Sequence, residues 1–481
     1  MKNDIRAALV GLGYQIPEQQ VYSNIATWRE WYQGYSAKFH DYMQYNGRRK
    51  IKRRRKSLRM AKRVCEDHAN LLLNEKVQIT IDNTAAQAAV DKALEANGFR
   101  VKGNKLVEVA FALGTGAFVE HDDGQGGVLI DYVRADMIFP TKWENEDITD
   151  CVFASIKNVG ASSVLYLNEH RKVGAEYVIY NRMFQLDANG NVAQRELTPG
   201  NKRPAELTPE PDTGLLAGDI VPEFHTRSEH PRFQFISPNS VNNTGVEGPL
   251  GMSVFANSLD VLEGVDLIYD SYCSEFRLGK KRIIIPQSML QLMQDDQGPW
   301  MAFDDNDTEF YGLKDDNLTD IKEINMELRT EAHDQAMQQF LNLLSAKTGL
   351  GNDRYQFDRG GGVKTTTEVI SEKSELFQNR QKNSLVLEAA LKGLCQAIAE
   401  ISGITGALKV EINFDDSVIE DTEGKRARMQ ALVTQGKFPL WRYLFEYEGY
   451  TKEDAEVIAL EVAAAEPDPL AFGNEETDPQ V

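Results

Sequence analysis

The chain has 481 residues, of which 42% are apolar and 26% charged, ordinary values for a globular protein with room for two to four compact units. Its 73 acids against 53 bases give a net charge of −20, which argues against a general DNA-coating surface. No stretch supplies the ~20 uninterrupted apolar residues of a bilayer span, so no membrane partner is expected.

The start, MKNDIRAALVGLG, has a short apolar stretch and no convincing cleavage site, so it does not read as a signal peptide. Residues 19 to 46, rich in Tyr and Trp, look helical. They lead into GRRKIKRRRKSLRMAKR at residues 47 to 63, with eleven Lys or Arg in the sixteen positions after its glycine and no acid. Without these eleven, the rest of the chain holds 42 bases against 73 acids, a net of −31. From Lys56 to Glu75, Leu58, Ala61, Val64, Cys65, Leu71 and Leu72 recur at helical spacing, so the second half of the run forms the polar face of an amphipathic helix. A strand, VQITI from Val77, follows, then a helical stretch from Thr84 to Ala112.

The middle is β-rich. GAFVEHD and GGVLIDYVR flank a Gly-rich turn and alternate as a hairpin does. EYVIYNRMFQL and NVAQREL flank Asn189-Gly190, a type I′ turn signal. The segment 198 to 218, rich in Pro and Gly, reads as a surface loop.

At Gly251 the pattern changes. Phe255, Leu259, Leu262, Tyr269, Cys273 and Phe276 mark an amphipathic helix of about 27 residues, roughly 40 Å long. An α/β insert follows: the strand RIIIP, a short helix SMLQLMQ, an acidic turn, and WMAFDDND paired with TEFYGL. A second helix runs from about Met326 to Lys347. A Gly-rich loop precedes a third, from Thr365 to about Ser402 and roughly 55 Å long, with Thr365 and Glu368 at capping-box spacing. Helices this long suit an elongated assembly, and SEKSELFQNRQKNS within the third is too polar for a private core. Three helices (residues 417 to 435, 439 to 448 and 451 to 465) precede a disordered, acidic tail.

Sites for chemistry are not found. VGLGYQI lacks the third glycine of a dinucleotide fingerprint, and in RGGGVKTTT Val363 separates the glycines from the lysine, where a phosphate loop needs them adjacent. The seven histidines include no HExxH. Cys65, Cys151, Cys273 and Cys395 form no CxxC pair and read as buried small hydrophobes in a reducing compartment. Asp304, Asp305, Asp307 and Glu309 lack the glycine and spacing of a calcium loop and read as an exposed acidic tip. With no nucleophile, base and oxyanion donors assembled, no enzyme, cofactor or metal is expected.

Three segments, KRRRKSLRMAKRVCEDHANLLLNEKV, DLIYDSYCSEFRLGKKRIIIP and RYQFDRGGGVKTTTEVISEKSELFQNRQK, together with ADMIFPTKWENEDITDCVFAS, resemble the portal (connector) proteins of long-tailed, siphovirus-type bacteriophages. The likeness runs in one order from about residue 20 to 450; the tail and the Pro-rich loop depart from it. It implies an α+β portal fold assembled as a ring, dodecameric in the virion: a β-rich wing (residues 1–250), stem helices (251–279 and 326–347), a small α/β clip between them (280–325), a tunnel loop (348–363), a long wing helix (364–412), a helical crown (413–466) and a tail (467–481). It further implies that double-stranded DNA is pumped through the ring by the terminase and leaves by the same path at infection.

The partners implied are the terminase large subunit, the head-completion adaptor, the major capsid protein and a scaffold protein. The location implied is the portal vertex of the virion, reached by way of the host bacterial cytoplasm during assembly. The tunnel loop would carry Asp353, Arg354, Tyr355, Gln356, Phe357, Asp358 and Arg359, with Lys364 at its base. Trp300, Asp304, Asp305 and Asp307 would face the terminase and the adaptor. The basic segment, with Arg48, Arg49, Arg53, Arg54 and Arg55, would touch an acidic neighbouring subunit or capsid protein, or packaged DNA, or only solvent. The alternative for the whole chain is a DNA-binding regulatory protein that uses this segment as a basic arm.

Overall fold

The computed structural model describes residues 5–45, 48–124, 126–159, 162–186, 192–196, 221–279, 282–286, 291–295, 298–302, 310–313, 322–324, 326–352, 354–355, 366–414, 422–435 and 437–465. The Pro-rich segment 198 to 218, the Asn189-Gly190 turn, Thr365 of the capping box and the tail lie outside them. The chain divides into two compact units, Met1–Gly360 with Glu375–Phe414, and Gly361–Ser374 with Asp415–Val481.

The first unit opens with helices α1 (Ile5–Gly11), α2 (Gln19–Tyr32) and α3 (Ala37–His40). Where a helix was expected up to residue 46, strands β1 (Asp41–Tyr45) and β2 (Lys50–Arg54) form an antiparallel ribbon, with Asp41 opposite Arg54 and Tyr45 opposite Lys50. A helix through this stretch would stack Arg49 on Arg53 and Lys52 on Lys56, like charges at i,i+4. In an extended chain residues four apart lie about 13 Å from each other, which relieves that repulsion. Helix α4 then spans Met60–Leu72, burying Ala61, Val64, Cys65, Leu71 and Leu72 as the spacing predicts.

After β3 (Gln78–Ile81), the expected single helix is two, α5 (Thr84–Ala96) and α6 (Phe99–Leu113). Asn83 caps α5 by accepting from the amides of Ala85 and Ala86, and Gly98, at φ +62°, breaks the pair apart. At the end of α6, Gly114 has φ +89°, and a Cβ there would lie 2.3 Å from the Gly251 carbonyl oxygen. Only glycine allows the two backbones to cross so closely.

Both hairpins read from the sequence are present. Strands β4 (Gly116–Asp122) and β5 (Val128–Arg134) pair in register. A larger antiparallel sheet follows from β6 (Ile138–Glu144), β7 (Asp147–Val159), β8 (Ser162–Val173), β9 (Glu176–Leu186) and β10 (Val192–Glu196), in the order β10-β9-β8-β7-β6, with β11 (Glu223–His225) also on β9. Strand β12 (Phe233–Ile236) adds to the other edge of β4.

The first long helix, α7, spans Leu259–Leu278, 20 residues, or roughly 30 Å. It is shorter than expected because Ala256–Ser258 form a 3-10 turn. Phe255 and Leu262 are buried, Leu259, Tyr269 and Cys273 are half-buried, and Phe276 is 50% exposed. Cys273 therefore departs from the expectation of four buried thiols; the other three are buried and all four are free.

The insert differs most from expectation. Its strands are β13 (Arg282–Pro286), β14 (Gln291–Asp295), β15 (Gly298–Ala302), β16 (Phe310–Leu313) and β17 (Lys322–Ile324). Residues read as a helix, QLMQ, belong to β14, which pairs with β15 from Gln291 opposite Ala302 to Asp295 opposite Gly298. The two strands read as partners, β15 and β16, do not pair. β16 instead lies parallel to β13, with β17 antiparallel on its other side. Short apolar runs carry no periodicity that separates helix from strand, so pairing decides.

Helix α8 runs from Thr330 to Lys347, and α9 spans Thr366–Ile401, 36 residues. Within the first unit α9 buries Leu387, Leu391, Leu394, Cys395 and Ile398 against α5, α6, β4 and β5, while β18 (Val410–Asn413) pairs with β3. The second unit holds α10 (Thr422–Thr434), α11 (Leu440–Tyr447) and α12 (Lys452–Ala465), near the three expected spans.

Candidate functional sites on the basic ribbon, the loop root and the insert

The basic run divides at its middle. On the ribbon, Lys52 pairs with Asp41 at 2.7 Å, and that contact holds the Asp41 carboxyl below its usual range and raises the Lys52 amine. Arg54 lies over the Tyr35 ring at 3.8 Å. Lys50, Lys52 and Arg54 share one face with Met43 and Tyr45, because residues directly opposite in the register point the same way. Met43 is 59% and Tyr45 65% exposed, and Arg48, Arg49 and Arg53 are exposed too. Arg55 turns inward: its guanidinium lies 4.8 Å from the Phe39 ring and 4.4 Å from that of Tyr42 and donates to the Phe39 carbonyl.

The chain between ribbon and α4 is fastened by acids of α7. Asp266, on the buried side of that helix, bonds the His40 ring at 3.0 Å and accepts from the Leu58 amide at 2.7 Å. Asp270 accepts from the Lys56 amide at 3.1 Å. From α4, Lys62 reaches Glu108 of α6 at 3.2 Å, and Arg63 reaches Asp67 of its own helix at 3.2 Å. This half of the run neutralises acids of its own chain.

Asp67 is also where the end of α8 is tied down. Its carboxylate, only 2% exposed, accepts from Arg354 at 2.9 Å and from the Tyr355 hydroxyl at 2.9 Å. Burial and the adjoining carboxylate raise the Tyr355 hydroxyl well above its ordinary range, so it stays a donor. Beside it, the His68 ring contacts the Thr348 carbonyl at 3.0 Å. Burial lowers its pKa to about 4, so the ring is neutral at pH 7, and since a carbonyl only accepts, Nε2 carries the proton. From α9, Asn379 donates to the Gly349 carbonyl at 3.1 Å, and Arg380 donates to the Leu71 carbonyl at 3.0 Å.

Of the residues assigned to the loop, Arg354 and Tyr355 are therefore brought together on one carboxylate. Asp353, Gln356, Phe357, Asp358, Arg359 and Lys364 lie outside the described residues, as do Asp304, Asp305 and Asp307. Trp300 is the central residue of β15, opposite Met293 of β14. Gly349 and Gly351, read as points of backbone freedom, adopt φ of +73° and +80° in a turn where the Gly349 and Gly351 carbonyls both accept side-chain hydrogen bonds.

Sequence reasoning passed over Asp67, His68 and Asp266. A signal for the first was present: Val64, Asp67 and Leu71 fall on one helical face, so a carboxylate interrupts the apolar stripe of α4. Among the described residues no group of three or more His, Cys, Asp or Glu could hold a metal ion, and no helix is long and apolar enough to cross a membrane.

A portal-protein fold, with wing sheets joined to paired long helices, is what the resemblance implied, and comparison with known proteins gives the class. The family model described as "Phage portal protein, SPP1 Gp6-like" matches residues 17–468. The chain belongs to this phage portal family. Among solved structures, it is similar to a chain of the "Virion of native gene transfer agent (GTA) particle", at 11% identity and a TM-score of 0.36, over 83% of this chain and 88% of that one. No curated protein matches it.

Proposed function

We propose that the chain forms the ring-shaped channel at one capsid vertex, through which double-stranded DNA is packaged by the terminase motor and later ejected, and on which head-completion proteins dock. Family membership over residues 17–468 carries this reading. The protein acts as a conduit and not as an enzyme: DNA moves past it, and a chain of net charge −20 has little general grip on phosphates.

The side chains left exposed on the helix pair support the ring. Leu267 and Phe276 of α7 are each 50% exposed, and Leu343 of α8 is 47% exposed. Large apolar groups on long helices gain by burial against the next copy. The clip would present Trp300, Asp304, Asp305 and Asp307 to terminase and adaptor, and the exposed ribbon arginines would meet an anionic surface: a neighbouring subunit, a capsid protein or packaged DNA.

Negative-stain images of the purified protein should show closed rings with a central hole, and a phage lacking the protein should assemble heads that take up no DNA. A stable monomer by light scattering across the micromolar range and at elevated salt would overturn the ring. Reversing the charge of the three clip aspartates should leave rings intact and weaken terminase binding; unchanged binding removes those residues.

A further inference from the structure

The turn after α8 forms a fastened knot. Thr348 caps the helix through its hydroxyl, which donates to the Leu344 carbonyl at 2.8 Å. The Leu350 amide returns to the Ser345 carbonyl at 2.9 Å, and the Ser345 hydroxyl donates to the Gly351 carbonyl. Gly349 has φ +73°, which favours glycine, and a Cβ there would meet the Asn379 side-chain amide at 2.2 Å and displace it. Three helices hold this turn: α8 from behind, α9 through Asn379, and α4 through His68 and Asp67. The knot ends at Arg354 and Tyr355, both bound to one carboxylate.

We infer that Asp67 is a positioning residue for the segment that follows Tyr355, and that Arg354 is the structural cation of this clamp and not a ligand for DNA phosphate. The inference rests on the reading of residues 348–363 as the channel loop. Arg354 cannot serve both roles without cost. Together with Arg63, its guanidinium compensates a carboxylate withdrawn from water, and turning it toward a phosphate strips that carboxylate of a charged partner. The Tyr355 hydroxyl would lose the same anchor only if Asp67 moved. The carboxylate therefore fixes two successive residues, from which the channel segment would continue. Asp67 belongs to α4, the helix in which the basic run ends, so the element that pairs Lys62 and Arg63 with acids also sets the root of the channel segment.

The two roles for Arg354 separate in a double-mutant cycle. In the purified full chain, Asp67→Asn should speed hydrogen exchange of the Gly349, Leu350 and Gly351 amides at least about tenfold and open the bond after Arg354 to trypsin. The β4–β5 hairpin should be unaffected. Tyr355→Phe, which removes one hydroxyl and endangers folding least, should shift the same amides less and in the same direction. In particles, D67N, R354Q and the double variant should assemble rings and share one deficit in DNA retained, with the double no worse than either single.

A deficit in R354Q that D67N lacks, or additive deficits, would overturn the inference in favour of a phosphate ligand. Unchanged exchange in both D67N and Y355F would remove the clamp. Raised exchange with parental DNA content in every variant would remove the positioning role and leave the portal reading intact. That reading itself fails if the parent chain does not restore DNA-filled heads to a phage lacking it.

Discussion

The two halves of the basic run are both dense in Lys and Arg and differ in where those groups go. From Arg48 to Arg54 the chain forms a ribbon whose cations stand at the surface, with one acid, Asp41, at its base. From Arg55 to Arg63, the side chains of Arg55, Lys62 and Arg63 and the amides of Lys56 and Leu58 meet acids and aromatic rings of the same chain: Phe39, Tyr42, Glu108, Asp67, Asp266 and Asp270. A run of charge is thus not a unit of function. What each residue does is set by whether its strand or helix face turns toward a compensating partner.

The hardest test of that lesson is a buried acid with no partner. Glu120 of β4 is fully buried, and neither carboxylate oxygen has a hydrogen-bond partner among the described residues. Burial pushes its carboxyl up to about 8, against a weaker pull downward from its own amide and from Arg232. Below pH 4.5 the acid is neutral folded and unfolded and contributes nothing. Between 4.5 and 8 the unfolded chain releases a proton that the folded chain keeps, so stability falls as pH rises, by about 5 kcal/mol in all. Denaturation midpoints of Glu120→Gln should vary less with pH than the parent's across this window. Parallel curves would show that the carboxylate finds a partner when it ionises.

Asp266 is the compensated counterpart. Asp266→Asn should weaken the anchors on His40 and on the Leu58 amide together, at a cost of about 3 kcal/mol at neutral pH. Loss of ribbon order, read as faster exchange of the Met43 and Ile51 amides, should accompany it.

Within the run itself, single substitutions sharpen the division that a triple change of Arg53, Arg54 and Arg55 would blur. Arg55→Gln removes two ring contacts and a backbone hydrogen bond and should cost about 1 to 2 kcal/mol. Arg53→Gln should change stability by less than about 0.5 kcal/mol. Any effect it has should appear in binding: weaker incorporation into procapsids if the partner is a protein, or a late packaging defect with normal assembly if it is DNA. Equal loss of stability in both variants would erase the distinction between the halves.

Much of the architecture was legible because it follows from local pattern. The apolar recurrences from Leu58 to Leu72 placed α4, alternation placed β4 and β5, and thirty-six residues without a proline gave α9 close to its observed ends. The ribbon was misread because Tyr- and Trp-rich helix α2 lends its pattern to the residues after it, while like-charge crowding, which disfavours helix, is not a periodicity. In the insert, QLMQ fits either structure, and only the partner strand Gly298–Ala302 makes it β.

By itself the sequence determined α4, α9, the β4–β5 hairpin and, through the order of its segments, the resemblance to a family that the family model then matched over residues 17–468. Only the tertiary structure decided which charges are spent inside the chain. His40 and Asp266 are 226 positions apart, and Asp67 and Arg354 are 287 apart. Periodicity reports the geometry of a few neighbouring residues. Compensation of a buried charge depends on whatever the fold brings within about 3 Å of it, and no local pattern encodes that meeting.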